Sequence, residues 1–144
     1  MNISAKVEYA CAAALELAVH YEDDHPLQAR RIAENYQIPL PFLVQILVQL
    51  KSARLVQSTR GSCGGYRLAR DPLEISLSDV TQAMDGQWMG SSQSALGKTN
   101  APTVAALKLT WQDVASAQRQ ILESTTLAEL AEQVRVDTGT MYYI

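Results

Sequence analysis

The sequence predicts a mainly α-helical fold with one small β-hairpin. Three observations support it: apolar residues recur at helical spacing in three segments before residue 53, a glycine-rich turn follows the third segment, and a mostly apolar seam extends from residue 104 to residue 121. Together they predict a winged helix-turn-helix domain followed by a long dimerisation helix.

The first predicted helix spans residues 4–21. Apolar residues such as Val7, Ala14 and Ala18 recur there at steps of three and four. Ser4 precedes the first of them and is a suitable N-cap, because its hydroxyl can accept a hydrogen bond from a free N–H of the first turn. Acidic residues and Pro26 then end the helix.

A shorter second helix is predicted from Gln28 to Tyr36 and a third from about Pro41 to Ser52. Proline suits the first turn of a helix, where its missing N–H is not needed. A pair of helices joined by a short turn predicts a helix-turn-helix whose second helix could lie in a major groove. An ordinary helical hairpin with solvated glutamines is the alternative. The outer face of the third helix carries Phe42, Gln45, Gln49 and Lys51.

The stretch STRGSCGGYRLA, residues 58–69, predicts a two-stranded hairpin directly after the third helix, which is the position of a wing. Gly61, Gly64 and Gly65 permit positive φ angles and a close approach of the backbone to another surface. We expect that surface to be a phosphate backbone. Arg60 at the tip is the type of residue that enters a narrow minor groove.

The second half predicts a short helix capped by Ser78, a mobile loop, a long helix, and a last helix capped by Thr125 or Thr126. The predicted units are residues 1–86 (DNA-binding domain), 87–102 (flexible loop), 103–133 (dimerisation and packing helices) and 134–144 (tail). The seam of the long helix favours a second copy of the chain as its partner, and an intramolecular partner is the alternative. The seam residues are Val104, Leu107, Trp111, Val114, Gln118 and Ile121.

Composition excludes several classes of protein. The chain has 144 residues, of which 47% are hydrophobic and 19% charged, as in a soluble globular protein. No apolar run reaches the roughly 18 to 20 residues that cross a bilayer, and no secretory signal is found, so we expect a cytoplasmic protein without membrane contact. The cysteines and histidines show no metal-ligand spacing. Because no acid pair, activated nucleophile or phosphate loop is present, we expect neither an enzyme nor a cofactor.

The net charge of -3 conceals a segregation of charge along the chain. Residues 26–70 carry seven Lys or Arg and one acid, whereas both flanking segments are acidic. A cationic surface is what duplex DNA attracts, through release of counterions. The segregation therefore favours DNA as a partner, and a merely solvated cluster of arginines is the alternative.

A specific order of motifs lies between Ile32 and Gly86: I-A-E, I-P, L-x-Q-I-L, L-V-x-S-x-R-G, G-G-Y-x-L-A and I-S-L-S-D-V. This order resembles the Rrf2-type winged-helix regulators, the family of the iron–sulfur cluster regulator IscR and the cysteine metabolism repressor CymR. The first helix, the long helix and the TTLAEL segment extend the likeness over nearly the whole chain. The resemblance implies a homodimeric transcription factor, taken here as a repressor, that binds a partly palindromic operator in double-stranded DNA.

In this family the third helix enters the major groove and the wing enters the minor groove. Carried over by position, the resemblance assigns base readout to Gln45, minor-groove contact to Arg60, and phosphate contact to Ser4 and Lys6. Departures from the family's usual residues early in the third helix leave the operator sequence open. The residues expected to contact DNA are Ser4, Lys6, Gln28, Arg30, Pro41, Phe42, Gln45, Gln49, Lys51, Ser58, Arg60, Gly64, Gly65 and Tyr66.

Many members of the family sense through an iron–sulfur cluster held by three cysteines before the dimerisation helix. The corresponding positions here fall at about Gln93, Thr99 and Ala105. Amide, hydroxyl and methyl groups do not replace thiolates as ligands of such a cluster. We therefore expect no cluster and no other metal, as in the CymR-like branch.

Two other features could let the protein respond to a signal. Cys63 lies in the wing loop near Arg60 and Arg67, a setting that favours thiol oxidation, although a tolerated small residue is the favoured interpretation. The ending MYYI resembles that of the cysteine-regulator branch, which implies docking of Tyr142, Tyr143 and Ile144 into cysteine synthase. Those side chains could equally pack back on the dimerisation helix. An interaction protein that docks such an enzyme is therefore the alternative function.

Overall fold

The computed structural model describes residues 3–85, 96 and 100–142, with side chains up to residue 139. Its architecture confirms the predicted fold class, since helices dominate and one antiparallel hairpin follows the third helix. No helix in these ranges has the length and hydropathy of a membrane span. The elements are α1 (Ala5–Val19), α2 (Ala29–Tyr36), α3 (Leu40–Ser52), β1 (Val56–Thr59), β2 (Gly65–Leu68), a 3-10 turn (Pro72–Glu74), α4 (Leu77–Asp85), α5 (Pro102–Ser124) and α6 (Leu127–Tyr142).

The core lies around α1, which contacts α2, α3, α4, α6 and β2. Ser4 caps α1 as predicted, since its Oγ accepts a hydrogen bond from the Val7 N–H at 3.2 Å. Burying each large aliphatic side chain of this core contributes about 1.5 to 3 kcal/mol to folding. The largest fully buried side chains include Leu17, Ile32, Leu43, Ile46, Leu47, Leu50, Ile75 and Leu127.

The turn between α2 and α3 comprises three residues. Gln37 adopts a left-handed conformation with φ of 54°, and the Ile38 N–H donates to the Ala33 carbonyl at 2.9 Å, which ends α2. Pro39 then precedes α3, and Pro41 lies in its first turn. The sequence therefore identifies both helices and the turn to within two residues.

The end of α3 is less obvious from the sequence. Arg54 has φ of 64°, a conformation that usually requires glycine. The Leu55 N–H reaches back to the Leu50 carbonyl at 3.0 Å and the Arg54 N–H to the Lys51 carbonyl at 2.9 Å, which is a Schellman motif. This sharp end turns the chain directly into the wing.

A polar cluster joins the ends of α1 and α2. The Glu16 carboxylate accepts a hydrogen bond from the Tyr36 hydroxyl, and its other oxygen lies 3.0 Å from His20 Nε2. The second ring nitrogen of His20 lies 2.6 Å from Asp23 Oδ2. Burial, followed by the contact with Glu16, raises the pKa of Tyr36 to about 12, so the hydroxyl stays protonated well into the alkaline range. The Tyr36–Glu16 hydrogen bond links the end of α2 to α1 at the surface.

The C-terminal helices differ from the prediction in two details. Ser76, not Ser78, caps α4: its Oγ accepts from the Asp79 N–H, and the Asp79 carboxylate accepts from the Ser76 N–H. Ser78 is instead buried, because it faces the core. The cap of α6 is one of the two predicted residues, because Thr126 Oγ1 accepts a hydrogen bond from the Glu129 N–H at 3.2 Å. The last helix continues to Tyr142, whereas a tail was predicted from residue 134.

Candidate nucleic-acid interface

The outer face of α3 is open to solvent in this structure. Four of the side chains that the sequence assigned to DNA contact there are exposed, namely Pro41, Phe42, Gln45 and Lys51. Gln49 is only half-buried, and its Oε1 is buried without a hydrogen-bond partner. Base readout by these residues stays a prediction, and the geometry leaves Gln45 free to offer its amide outward.

Phe42 has a structural contact that the sequence did not suggest. Its ring meets the ring of Tyr9 edge to face, with centroids 5.8 Å apart and planes at 83°. Such pairs contribute about 0.5 to 1.5 kcal/mol beyond area burial. Phe42 therefore anchors the start of α3 on α1, and 36% of its surface remains exposed.

Two valines of α3 were missed by the sequence analysis. Val44 and Val48 are 38% and 52% exposed, and they lie one turn apart on the same face as Gln45. The signal that could have found them is their position: both fall outside the buried stripe of Leu43, Ile46, Leu47 and Leu50. The outer face of α3 is therefore more apolar than its glutamines suggest.

A hydrogen bond joins the wing to α3. The Lys51 ammonium donates to Ser58 Oγ across 2.7 Å, so the end of α3 and β1 present their exposed residues on the same side. Ser58 is paired with Tyr66 in the hairpin register, and Arg60 follows β1 at the exposed start of the turn. The structure thus brings four predicted contact residues into one surface.

Gly64 and Gly65, the two inner glycines of the wing, allow a close contact between backbone segments of the chain itself. The Leu27 N–H donates to the Tyr66 carbonyl at 2.9 Å, and the Tyr66 N–H donates to the Leu27 carbonyl at 2.7 Å, which fixes β2 against the start of α2. A Cβ on Gly65 would lie 2.4 Å from the Leu27 carbonyl oxygen, and one on Gly64 would lie 2.3 Å from that of Thr59. The close approach that requires glycine is therefore to the chain's own backbone, not to phosphate as expected. DNA contact by Gly64 and Gly65 stays a prediction.

The cations of residues 26–70 are not neutralised by neighbouring acids. All seven lie within the described part of the chain, and none of them takes part in an ion pair there. Only Arg67 is half-buried; the exposed ones are Arg30, Arg31, Lys51, Arg54, Arg60 and Arg70. Unpaired cations on and around the helix-turn-helix and wing are suited to phosphate contact.

The N-terminal candidates already have partners within the chain. Ser4 caps α1, and the Lys6 ammonium donates to the Met84 carbonyl at the end of α4 across 3.3 Å. A hydroxyl and an ammonium both retain further donors, so phosphate contact at these positions stays a prediction. Gln28, at the N-cap of α2, is exposed and makes no side-chain cap.

The predicted seam residues of α5 differ in burial: two are buried or half-buried within the chain, and four are exposed. Val104 is buried within the chain and Gln118 is half-buried. The other four, Leu107, Trp111, Val114 and Ile121, are 39% to 64% exposed. At its C-terminal end the seam leads into an apolar cavity of about 480 Å³ between α1, α4, α5 and α6, which Gln118 and Ile121 help to line. Trp111, which is 61% exposed, is the largest of these uncovered side chains.

The two cysteines occupy opposite environments. Burial raises the pKa of the Cys11 thiol to about 11, with a smaller contribution from the Glu8 carboxylate, so the thiol stays protonated at neutral pH. Cys63 is exposed in the wing, beside a cavity of about 300 Å³ that His25 and Arg31 also line. Redox activity of Cys63 stays a prediction.

Thiol labelling is expected to separate these two residues. At pH 8 the native protein should react with one equivalent of Ellman's reagent, because a pKa of about 11 instead of 9.0 lowers the thiolate fraction of Cys11 about 100-fold. Cys63→Ser should remove the rapid reaction, and Cys11→Ala should preserve it. Equal rates for the two thiols in the folded wild type would contradict this assignment.

Several predictions concern residues outside the described part of the chain. They include Gln93 and Thr99 at the cluster-ligand positions, together with Tyr143, Ile144 and the side chain of Tyr142 in the proposed docking tail. Ala105, the third ligand position, is exposed in the first turn of α5. Within the described ranges, no group of three or more His, Cys, Asp or Glu could hold a metal ion.

Comparison with known proteins places this geometry among regulators of transcription. A family model described as Rrf2, an iron-dependent transcriptional regulator, matches residues 3–133. A protein of Mycobacterium tuberculosis H37Rv named as an HTH-type transcriptional regulator is 40% identical over 133 residues, which are 91% of this chain and 81% of that protein. The HTH-type transcriptional regulator IscR of Vibrio cholerae is 33% identical over 130 residues, 90% of this chain and 75% of that protein.

Solved structures show the same arrangement. CymR of B. subtilis, described as the global cysteine regulator, superposes with a TM-score of 0.81 at 29% identity and covers 92% of this chain and 98% of its own. The oxidized form of Staphylococcus aureus CymR gives a TM-score of 0.77 at 31% identity, over 92% and 97% of the two chains. The likeness therefore includes the helix-turn-helix, the wing and the long helix.

Proposed function

The chain belongs to the Rrf2 family of winged helix-turn-helix transcriptional regulators, and from this premise we propose that it acts as a homodimeric repressor that binds a partly palindromic operator. In this proposal α3 enters the major groove and the wing enters the neighbouring minor groove. Gln45 offers its amide to adenine, and Arg60 reaches into the minor groove.

The observation that carries the proposal is the unpaired cationic surface around the exposed face of α3. The helix itself contains no Asp or Glu, and its one charged residue is Lys51. The Lys51–Ser58 hydrogen bond keeps the wing on the same side. A phosphate backbone lying across α3 and the wing would therefore meet several cations and no carboxylate from either element.

The exposed seam of α5 supports a dimer. The side chains of α5 that are at least half-buried against the domain lie mainly in its C-terminal half, at Ala115, Gln118 and Leu122. Two antiparallel α5 helices that cross near Val114 would place Leu107 of a second copy opposite Ile121, at the apolar cavity. The 23-residue helix is about 35 Å long, close to the roughly 34 Å between half-sites one DNA turn apart. Such a pair fills the cavity and leaves both α3 helices available to DNA.

The proposed regulator works without an iron–sulfur cluster. No cysteine follows Cys63 in the sequence, and Cys11 is half-buried with a thiol that stays protonated at neutral pH. These two residues lack the number and arrangement of thiolates that a cluster requires. A link to cysteine, sulfur or redox status is supported by the similarity to CymR, whose structure is described as that of a cysteine regulator.

Operator binding tests the proposal. Purified protein is incubated with genomic fragments, footprinted, and titrated at several salt concentrations. Gln45→Ala is expected to weaken binding about 5- to 100-fold, and Arg60→Ala should also make the salt dependence less steep. Gln112→Ala and Lys108→Ala are matched controls, because both residues are exposed on α5 outside the seam, and they should change affinity less than about twofold.

The same experiment distinguishes the remaining alternatives. The footprint should be two-fold symmetric, and it should be identical for anaerobically purified protein and for chelator-treated protein. An interaction protein that docks cysteine synthase would instead show no preferred DNA segment, and enzyme retention would be lost on deletion of Tyr142–Ile144. The absence of any footprint at low salt would contradict the proposed function.

A further inference from the structure

Val44 and Val48 of α3 lie outside the buried core and keep 38% and 52% of their surface exposed in the described part of the chain. Val44 and Val48 are β-branched, and such residues have slightly unfavourable helix propensities, so their presence on an open helix face has a small cost in stability. The opposite face of α3 supplies the core contacts, through Leu43, Ile46, Leu47 and Leu50. A ligand of α3 would therefore meet two branched apolar side chains beside Gln45.

We infer that Val44 and Val48 contact the 5-methyl groups of two thymines in each operator half-site. This inference rests on the proposed function, because it requires α3 to enter the major groove. The thymine methyl is the apolar group that the major groove displays, and apolar side chains recognise it by contact. The inference adds to the amide readout of Gln45 a second, apolar element of sequence recognition.

The positions of the two valines predict where these thymines lie. Pro41, Val44, Gln45 and Val48 are related by steps of three and four residues, so they share one face of α3. Val44 and Val48 are separated along the helix axis by about 6 Å. Stacked base pairs rise about 3.4 Å, so a helix along the groove would contact methyl groups roughly two base-pair steps apart.

The charges around this face favour DNA over an apolar protein partner. Lys51 follows Val48 by three residues, and Arg60 projects from the adjoining wing. Among the residues that the structure describes, neither cation has an ion-pair partner. An apolar stripe bordered by unpaired cations, with no carboxylate on its helix, matches a base edge bordered by phosphates.

Replacing single thymines of the footprinted operator by deoxyuridine tests the inference, because each replacement removes only one methyl group. For the wild type, two positions in each half-site should each lower affinity about fourfold, the value of one buried methyl-sized group. Val48→Ala changes both half-sites of the dimer at once, so it should lower affinity about 16-fold, which is about fourfold for each half-site, and abolish the effect of one of these positions. Val44→Ala should do the same at the other position.

The controls separate recognition from folding and from the proposed function. Val134→Ala changes an exposed valine of α6 and should leave every deoxyuridine effect unchanged. Val48→Thr keeps the branched shape, so its circular dichroism and thermal unfolding should match those of the wild type. If the wild type binds the operator and no deoxyuridine changes its affinity, this inference is overturned while the proposed function stands. If the wild type binds no fragment, the proposed function fails first.

Discussion

Val114→Asp is expected to convert the protein into a monomer and to reduce operator affinity by at least about 100-fold. Val114 lies at the centre of the exposed seam of α5, where two copies would bring their Val114 side chains together. A carboxylate from each copy would then be desolvated next to the other, which is strongly unfavourable. A monomer loses the avidity that comes from holding two half-sites at once, typically a factor of 10² to 10⁴.

Sedimentation velocity and operator titration of the same preparation measure this effect. Leu109→Asp is the matched control, because Leu109 is on α5 and 65% exposed but faces away from the seam. It should remain dimeric and bind normally. Thermal unfolding of Val114→Asp at low protein concentration should resemble that of a dissociated wild type, since Val114 is 44% exposed and lies outside the core of the single chain. A Val114→Asp protein that stays dimeric would show that the interface lies elsewhere.

Gly65→Ala is expected to displace the wing and to destabilise the domain by about 2 to 4 kcal/mol. The added Cβ would lie 2.4 Å from the carbonyl oxygen and 2.6 Å from the carbonyl carbon of Leu27. Both atoms belong to backbone that is hydrogen-bonded to Tyr66, so neither can move without breaking that pairing. The φ of +155° adds strain for any residue with a Cβ.

Urea unfolding and footprinting of this variant measure the two consequences separately. Gly139→Ala, in α6 with nothing near its Cβ position, should instead gain about 0.5 to 1 kcal/mol. Gly61→Ala isolates backbone strain, because its φ is +111° but no atom lies within 4 Å of the new Cβ. Among these variants, Gly65→Ala should most weaken the protection of the operator nucleotides that the wing contacts. Wild-type stability of this variant would refute the packing of β2 against Leu27.

The elements that the sequence predicted correctly are those set by neighbours along the chain. Ser4 caps α1 because its hydroxyl lies three residues from the N–H whose hydrogen bond it accepts, and Pro41 lies in the first turn of α3 because its ring suits that position. The helix-turn-helix, the hairpin and the long helix follow in the same way from apolar periods and glycine positions. The segregation of charge likewise predicted which surface would be cationic.

The errors of prediction concern contacts between distant segments. Ser78 had the right residue type for a cap, but the packing of α4 on the core buries it and places Ser76 at the cap. The wing glycines had the right conformational freedom, but their neighbours are Thr59 and Leu27, which no local pattern shows. Val104 had the spacing of the seam but is buried within its own chain.

By itself, the sequence determined the order of helices and hairpin, their main caps and the cationic middle segment, because hydrogen bonds and periodicity act over a few residues. Only the tertiary structure decided which side chains stay exposed: Val44 and Val48 on α3, and Trp111 on α5. Exposure depends on what distant parts of the chain cover, and a pattern of residue types does not contain that information. The same holds for Gly65. A Cβ at this position would collide with the carbonyl of Leu27, which lies 38 residues earlier in the chain.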